Sequence, residues 1–544
     1  VRRRVVPLAS LALGLASAAC SAVLGLDPPP GEGPDAGNGS DATTSSDSGV
    51  APSPEAGPAN CPALDAGDAG TYSPLAPIPI DDAGHTTWEF FNPSGDAGIP
   101  GFNAQPSYTG GAFDGRYVYF AGTSRWVARY DTQGGGFSDP SSWSGVFLPN
   151  GEDGFAGAVF DGRYVTLVPG HRNGSTAAVA ARFDTLVPGG FIPATSAAWE
   201  YFDLSTLAAD GGAPTYGFYG GVFDGRYIYF VPHFDGPAVN PFGRVVRYDT
   251  AGSLDAGLPG DAGDPPESGA STDAGREGGT GLDAATDSGA GAVATGFANP
   301  SLWTSFDVAT VSPAGVGAGF AGGVFAAGAV YLVPNQNGAY DGSVDFGLSG
   351  TAFRYATDAG FGTPSSWTSF DMTRVSGYAN DFEGAAFDGR FVYFVPRGNG
   401  VVTRYDTTVS FASPGAWGSY DVTRTVPLID AGAGQVSATY AGGAFDGRFV
   451  YFIPADTSGY GPYPVLRYDT LGSFSAPCAW SSFDPSQLPV PVGSHAGSVY
   501  AGAVFDGQYL YLVPNGSTGT VFVRFAAKAQ APSPNPPVFN NSFL

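Results

Sequence analysis

The sequence predicts an all-β protein, a seven-bladed β-propeller of four-stranded antiparallel blades. Three observations predict it. A phrase of the form G-G-x-F-D-G-R-Y-V-Y-F-V-P recurs seven times, from Gly110, Gly157, Gly220, Gly322, Gly384, Gly442 and Gly502. Each copy is followed by an R-Y-D-T-like run, from Arg129, Arg182, Arg247, Arg354, Arg404, Arg467 and, in degenerate form, Arg524. A third element, W-x-x-F-D or a variant of it, begins at Trp88, Trp143, Trp199, Trp303, Trp367, Trp417 and Trp480. Self-similarity at a regular period marks a repeat architecture before any propensity argument begins.

The order of elements within one unit follows from local chemistry. G-G-x-F and R-Y-V-Y-F-V flank Asp-Gly as two apolar, aromatic-rich runs, which reads as a hairpin with a type I′ turn. The R-Y-D-T run supplies a third short strand and the Trp element a fourth. The cycle is cut out of phase: the chain enters on Trp88 and leaves on Arg524-Phe525. In a closed ring the entering strand completes the last blade, which removes an exposed sheet edge.

This order resembles Kelch-type propellers. Tyr451-Phe452-Ile453, Tyr468-Asp469 and Trp480 fall in the sequence of a Kelch second, third and outer strand. The likeness runs over about residues 86–526 and implies the propeller fold. The Gly pair that Kelch blades carry after the second strand stands here before the first.

The remaining segments divide the chain. Residues 1–20 carry Arg2, Arg3 and Arg4, an apolar run from Val5 to Ala19, and Ser17-Ala18-Ala19-Cys20, which resembles a bacterial lipoprotein signal. On that reading Cys20 is the lipidated residue, and Ser21 fits sorting to an outer membrane. The alternative is a plain secretory signal. Residues 21–84 are rich in Ala, Gly, Pro, Ser and Asp and read as a disordered tether, because they hold too little apolar surface to offset ordering entropy. Residues 251–296 repeat that composition and read as a disordered insertion between two strands of one blade. The propeller is thereby placed at 85–528 and a C-terminal tail at 529–544. Cys61 and Cys478 form a disulfide on one reading and are two thiols on the other.

The formal net charge is −26, and Lys528 is the single lysine. This argues against a nucleic-acid partner, which needs clustered basic residues. Contact with a membrane is expected only through the N-terminal lipid, and the chain is expected to be a monomer.

Each repeated residue has a structural reading that outweighs a functional one. The Asp-Gly pairs lack the density of a calcium loop. The Arg of D-G-R, with the Arg and Asp of R-Y-D-T, forms a recurring stitch between strands on this reading. The tryptophans either fill the wedges between blades or form a ring of sugar-stacking platforms, and the first is favoured. His85, His171, His233 and His495 show no metal-ligand spacing, and no linear catalytic motif is present. No catalytic residue, metal or cofactor is therefore predicted. The fourth unit departs from the rest, with Ala327-Gly328-Ala329 and Ala356 in place of the usual residues. Relaxed constraint is preferred there over a specialised surface.

Function is then expected where the repeat fails, in variable loops on the face opposite the Asp-Gly turns. The candidates follow each Val-Pro or its equivalent: His171 and Arg172, His233 and Asp235, Asn335 and Asn337, Arg397 and Asn399, Asp456, and Asn515. The expected function is a secreted, lipid-anchored surface module of the cell envelope that binds an extracellular protein or glycan. The alternatives are a polysaccharide hydrolase or lyase acting at the central funnel, and a structural envelope protein.

Overall fold

The computed structural model describes residues 88–92, 107–149, 154–170, 178–207, 217–234, 240–254, 296–311, 316–338, 347–424, 438–455, 464–483, 500–515 and 521–527. They form 28 strands, β1–β28 in chain order, arranged as seven four-stranded antiparallel sheets. Blade 1 is typical: β2 (Tyr108–Phe113), β3 (Tyr117–Gly122), β4 (Trp126–Asp131) and β5 (Trp143–Phe147) pair in chain order. Blade 7 joins β26 (Tyr500–Phe505), β27 (Tyr509–Pro514) and β28 (Phe522–Ala526) to β1 (Trp88–Phe91), with Trp88 opposite Phe525 and Phe91 opposite Phe522. The ring is closed by the entering strand, as the cut repeat predicts.

Inner strands carry the G-G phrase. In β10 (Phe218–Phe223), β14 (Phe320–Ala326), β18 (Phe382–Phe387) and β22 (Tyr440–Phe445) the first Gly has positive φ, between 68° and 86°, and the ladder with the second strand slips beside it. This is a bulge that only Gly enters without strain. The second Gly answers a different need: a Cβ on Gly323 would lie 2.7 Å from the Tyr331 carbonyl oxygen.

The Asp-Gly hairpin differs from the expected two-residue turn. The loop has three residues, Asp114-Gly115-Arg116, and of these only Gly115 has positive φ. Asp114 is an acceptor. Its Oδ1 takes the N–H groups of Arg116 (2.8 Å) and Tyr117 (2.6 Å), and its Oδ2 takes the Tyr119 hydroxyl at 2.8 Å. Asp224, Asp388, Asp446 and Asp506 repeat all three bonds. The side chain therefore closes the turn, so the Asp itself needs no left-handed backbone. The two-residue left-handed turn occurs only in the deviant fourth unit among the described hairpins, with Ala327 at φ 47° and Gly328 at φ 70°.

The next two residues of the phrase complete the stitch. Arg116 pairs with Asp131 through Nε (3.0 Å) and Nη2 (2.7 Å), and the same pair forms as Arg163–Asp184, Arg226–Asp249, Arg390–Asp406 and Arg448–Asp469. Thr132 adds its N–H and hydroxyl to the Arg116 carbonyl. The Arg of R-Y-D-T takes another role. Arg129 lies 4.3 Å from the Tyr117 ring of its own blade and 4.1 Å from the Phe191 ring of the next. Arg404 sits likewise between Phe391 and Phe474.

The tryptophans fill the junctions between blades. Trp417 stacks on Phe370 of the preceding blade at 4.5 Å and 7°, and its indole N–H donates to the Phe411 carbonyl at 3.0 Å. The pairs Phe91–Trp143, Phe202–Trp303, Phe306–Trp367, Tyr420–Trp480 and Phe483–Trp88 repeat the stack. The W-x-x-F of blade 1, from Trp143, is broken at Val146-Phe147, and there buried Val146 packs in one cluster with Trp199. Large flat rings suit a wedge between twisted sheets.

At the edges of the expected insertion, Ala251–Leu254 form one helical turn and Gly296–Ala298 a 3-10 turn, with Phe297 buried under Trp303. Cys478 is disulfide-bonded, and its partner lies outside the described residues. So do Cys20, Cys61, the signal-like segment, the tether and the C-terminal tail. No helix among the described residues is long and apolar enough to cross a membrane.

Candidate binding site at the channel mouth

The loops after the second strands and those between blades share one face, opposite the Asp-Gly turns. On that face the inner strands begin. Their second residues are Thr109, Ala156, Tyr219, Ala321, Glu383, Ala441 and Ala501. Most are small and carry no charge. Tyr219 and Glu383 are the exceptions.

The Tyr219 hydroxyl donates to Glu383 Oε1 at 2.8 Å. Tyr219 lies on β10 of blade 3 and Glu383 on β18 of blade 5, so this bond passes in front of β14 of blade 4. Both side chains must therefore lie on the axis side of the ring. Burial, reinforced by the Glu383 carboxylate, holds the Tyr219 phenol well above its ordinary pKa, so it is a neutral hydrogen-bond donor.

Arg397 follows β19 (Phe391–Pro396) and reaches the same point. Its Nε is 3.0 Å from Glu383 Oε2, without the alignment of a hydrogen bond, and its Nη1 is 3.8 Å from Asp381 Oδ1. Burial opposes the guanidinium charge, but Glu383, Asp381 and Tyr219 outweigh it and raise the Arg397 pKa. Asp381 has left-handed backbone, φ 56°, at the residue just before β18. Its N–H donates to the Ser349 carbonyl at 3.1 Å and its carbonyl accepts from Arg397 N at 2.8 Å. Aspartate tolerates this region better than most residues, and such conformations concentrate at functional sites.

Asn335 ties the group together from below. Its Nδ2 donates to Asp381 Oδ1 (3.1 Å) and to the Phe382 carbonyl (3.0 Å), and its Oδ1 lies 3.4 Å from His233 Nε2. The His233 ring rests against Tyr219, with centroids 5.0 Å apart. Blades 3, 4 and 5 thus contribute to one network at the mouth.

Of the residues the sequence nominates, His233, Asn335 and Arg397 meet here, and Asn399 stands two residues beyond Arg397. Asn335 is 1% exposed and its amide is engaged, so it positions its neighbours instead of facing a ligand. Asn337 turns to the Val316 carbonyl at 3.3 Å, within its own blade. Asn515 accepts a hydrogen bond from Ser107, which joins blade 7 to blade 1 away from this cluster. His171, Arg172, Asp235 and Asp456 lie outside the described residues.

Asp381 lies in a blade-to-blade loop outside the candidates that follow Val-Pro, and Tyr219 and Glu383 escape a reading confined to the loops. Their signal is nonetheless in the sequence. Phe218-Tyr219-Gly220 and Phe382-Glu383-Gly384 replace a small residue with a large polar one in the middle of an apolar strand phrase.

Chemically the group is a set of fixed donors and acceptors. Among the described residues no three His, Cys, Asp or Glu side chains gather as a metal site. Both carboxylates face one guanidinium. No family model matches the chain, and no curated protein matches it significantly.

Proposed function

We propose that this propeller is a glycan-binding module whose ligand seats at the channel mouth, on Tyr219, Glu383, Arg397 and His233. The observation that carries the reading is the Tyr219–Glu383 bond across blade 4, with Arg397 behind it. It puts a phenol, a carboxylate and a guanidinium at fixed positions in a ring otherwise lined by small residues. A few convergent polar groups on a rigid frame are what a specific small-ligand site requires. Charged groups make the stronger hydrogen bonds to hydroxyl-rich ligands. The order of strand phrases further supports kinship with Kelch-type propellers. The run 1–20 supports export and lipid attachment at Cys20, with the propeller presented at the cell envelope.

The two carboxylates invite the hydrolase reading, but their setting weighs against it. A glycosidase keeps one carboxyl protonated as general acid, through apolar or like-charged surroundings. Asp381 and Glu383 instead both lie against one guanidinium, 3.8 Å and 3.0 Å from Arg397, and neither stands apart in an apolar pocket.

The test is a glycan array probed with the protein and with Glu383→Gln. Removing a charged acceptor from such a site removes about 1.5–3 kcal/mol of binding, which is a loss of at least about tenfold in affinity. A silent array, or equal binding by Glu383→Gln, sinks the proposal. Shortening of the bound glycan during incubation establishes the hydrolase instead.

A further inference from the structure

Tyr378 is the second feature on this face that the fold does not use. Its relative exposure is 72%. Among the described residues the exposed large apolar side chains include two aromatics, Phe147 and Tyr378. Phe147 is covered, with the Arg125 guanidinium 4.5 Å above its ring and Trp126 at 5.1 Å. The Tyr378 ring has no such cover among the described residues. Leu186, Val409 and Leu471 lie in turns after third strands, on the opposite face, and Leu348, on the same face as Tyr378, is aliphatic and 39% exposed.

The ring is exposed, yet its backbone is held from several sides. It sits in the passage from blade 4 to blade 5, after β17 (Trp367–Asp371). The Asn399 side-chain amide donates to the Tyr378 carbonyl at 2.7 Å and to the Asn380 carbonyl at 3.0 Å. Asn399 Oδ1 in turn accepts from Val401 N at 3.0 Å. Ala379 N donates to the Ser376 carbonyl at 2.8 Å, and the Ala379 side chain is fully buried. A fixed backbone under a free aromatic ring is an arrangement for contact, because little conformational entropy is lost when the ring is covered. Three residues further on is Asp381. The chain's reach puts the platform within about 10 Å of the polar cluster.

We propose that Tyr378 is the stacking platform of a second saccharide subsite, continuous with the channel mouth and selective for uncharged pyranose oligomers longer than one ring. The proposal rests on the glycan reading and adds to it an extended ligand and a charge class. An aromatic face takes the apolar C–H face of a sugar ring, and Asn399, whose amide is engaged by the loop, holds the platform in place. The charge class follows from the neighbours. Asp381 and Glu383 outnumber Arg397, so the cluster carries a net negative charge, and a sugar carboxylate or sulfate there meets repulsion.

The experiment compares the protein with Tyr378→Ala and Tyr378→Phe on one array of neutral and acidic pyranose oligosaccharides graded in length. Tyr378→Ala is expected to lose about tenfold on the longer neutral members, a change of about 1.4 kcal/mol. It should keep its binding to the shortest members, and Tyr378→Phe should bind as the parent does. An unchanged melting temperature for both variants shows that the loss is not unfolding. Equal binding of long neutral members by Tyr378→Ala overturns this inference alone, and preference for acidic sugars overturns its charge class. A parent protein silent on every member overturns it together with the glycan reading.

Discussion

At the scale of single residues, the chain assigns one job to each letter of its phrase. Asp388 closes the turn, Arg390 reaches Asp406 on the neighbouring strand, and Thr407 returns two hydrogen bonds to the Arg390 carbonyl. For the Asp406 carboxyl burial works toward a higher pKa, but Arg390 and Thr408 outweigh it and hold it below the ordinary aspartate value. The sign of the pH effect follows. A carboxylate with a depressed folded pKa contributes stability that is fully present above the unfolded value of about 3.9 and lost as pH falls through the folded one. Asp131 behaves the same way against Arg116. The Arg390 head is largely in water, so the pair is worth less than a buried one; Arg390→Ala should cost about 1 kcal/mol at neutral pH. Thermal melts taken down from neutral pH should show a constant gap between parent and variant until the pH falls below about 3.9, and a narrowing gap as it falls further. A variant that melts with the parent at neutral pH removes the pair from the account of stability.

At the scale of the element, hairpins show what a sequence displays and what it hides. An Asp-Gly between aromatic runs announces a turn, yet the two-residue turn and the Asp-closed three-residue turn share that signature. Only the bonds from Asp114 to Arg116 and Tyr117 distinguish them. The fourth unit makes the contrast testable. Without the Asp, its turn falls back on Ala327 at φ 47°, exposed to solvent, a conformation that costs a non-glycine residue about 1–2 kcal/mol. Ala327→Asn should recover up to about 1 kcal/mol and raise the melting temperature; no rise would mean that the turn relaxes freely. The blades themselves were legible because repetition states each strand seven times. The site was half legible for the same reason inverted. His233 and Arg397 stand out where loops vary, but Tyr219 and Glu383 hide inside a repeated strand, where a departure looks like noise until the ring brings blades 3 and 5 face to face. Nor does the sequence distinguish a surface amide from Asn335, whose burial depends on three blades meeting.

At the scale of the whole molecule, the ring closes on four residues. β1 enters two junctions at once: Trp88 stacks on Phe483 of blade 6 at 4.7 Å, and Phe91 on Trp143 of blade 1 at 4.7 Å. Glu89 adds an ion pair with Arg524, which also reaches the Tyr130 hydroxyl of blade 1 at 3.2 Å. In an open array of blades such terminal contacts are frayed and their loss is nearly silent. In a closed ring the terminal junction is equivalent to an internal one, and breaking it also frees the edge of β28 for pairing with another chain. Phe91→Ala and Phe370→Ala remove the same ring from the same kind of Trp stack, the first at the closure and the second inside the ring. Both phenylalanines are nearly buried, at 2% and 3%, so each substitution should cost about 3–5 kcal/mol. Calorimetry should therefore place the two melting temperatures close together, and sedimentation of the Phe91→Ala protein near its transition should show association that the parent lacks. A Phe91→Ala protein as stable as the parent, beside a destabilised Phe370→Ala, is the pattern of an open array and would remove the closure. It would also loosen the channel mouth, because Tyr219 meets Glu383 only while blades 3 and 5 are held at a fixed angle by the rest of the ring.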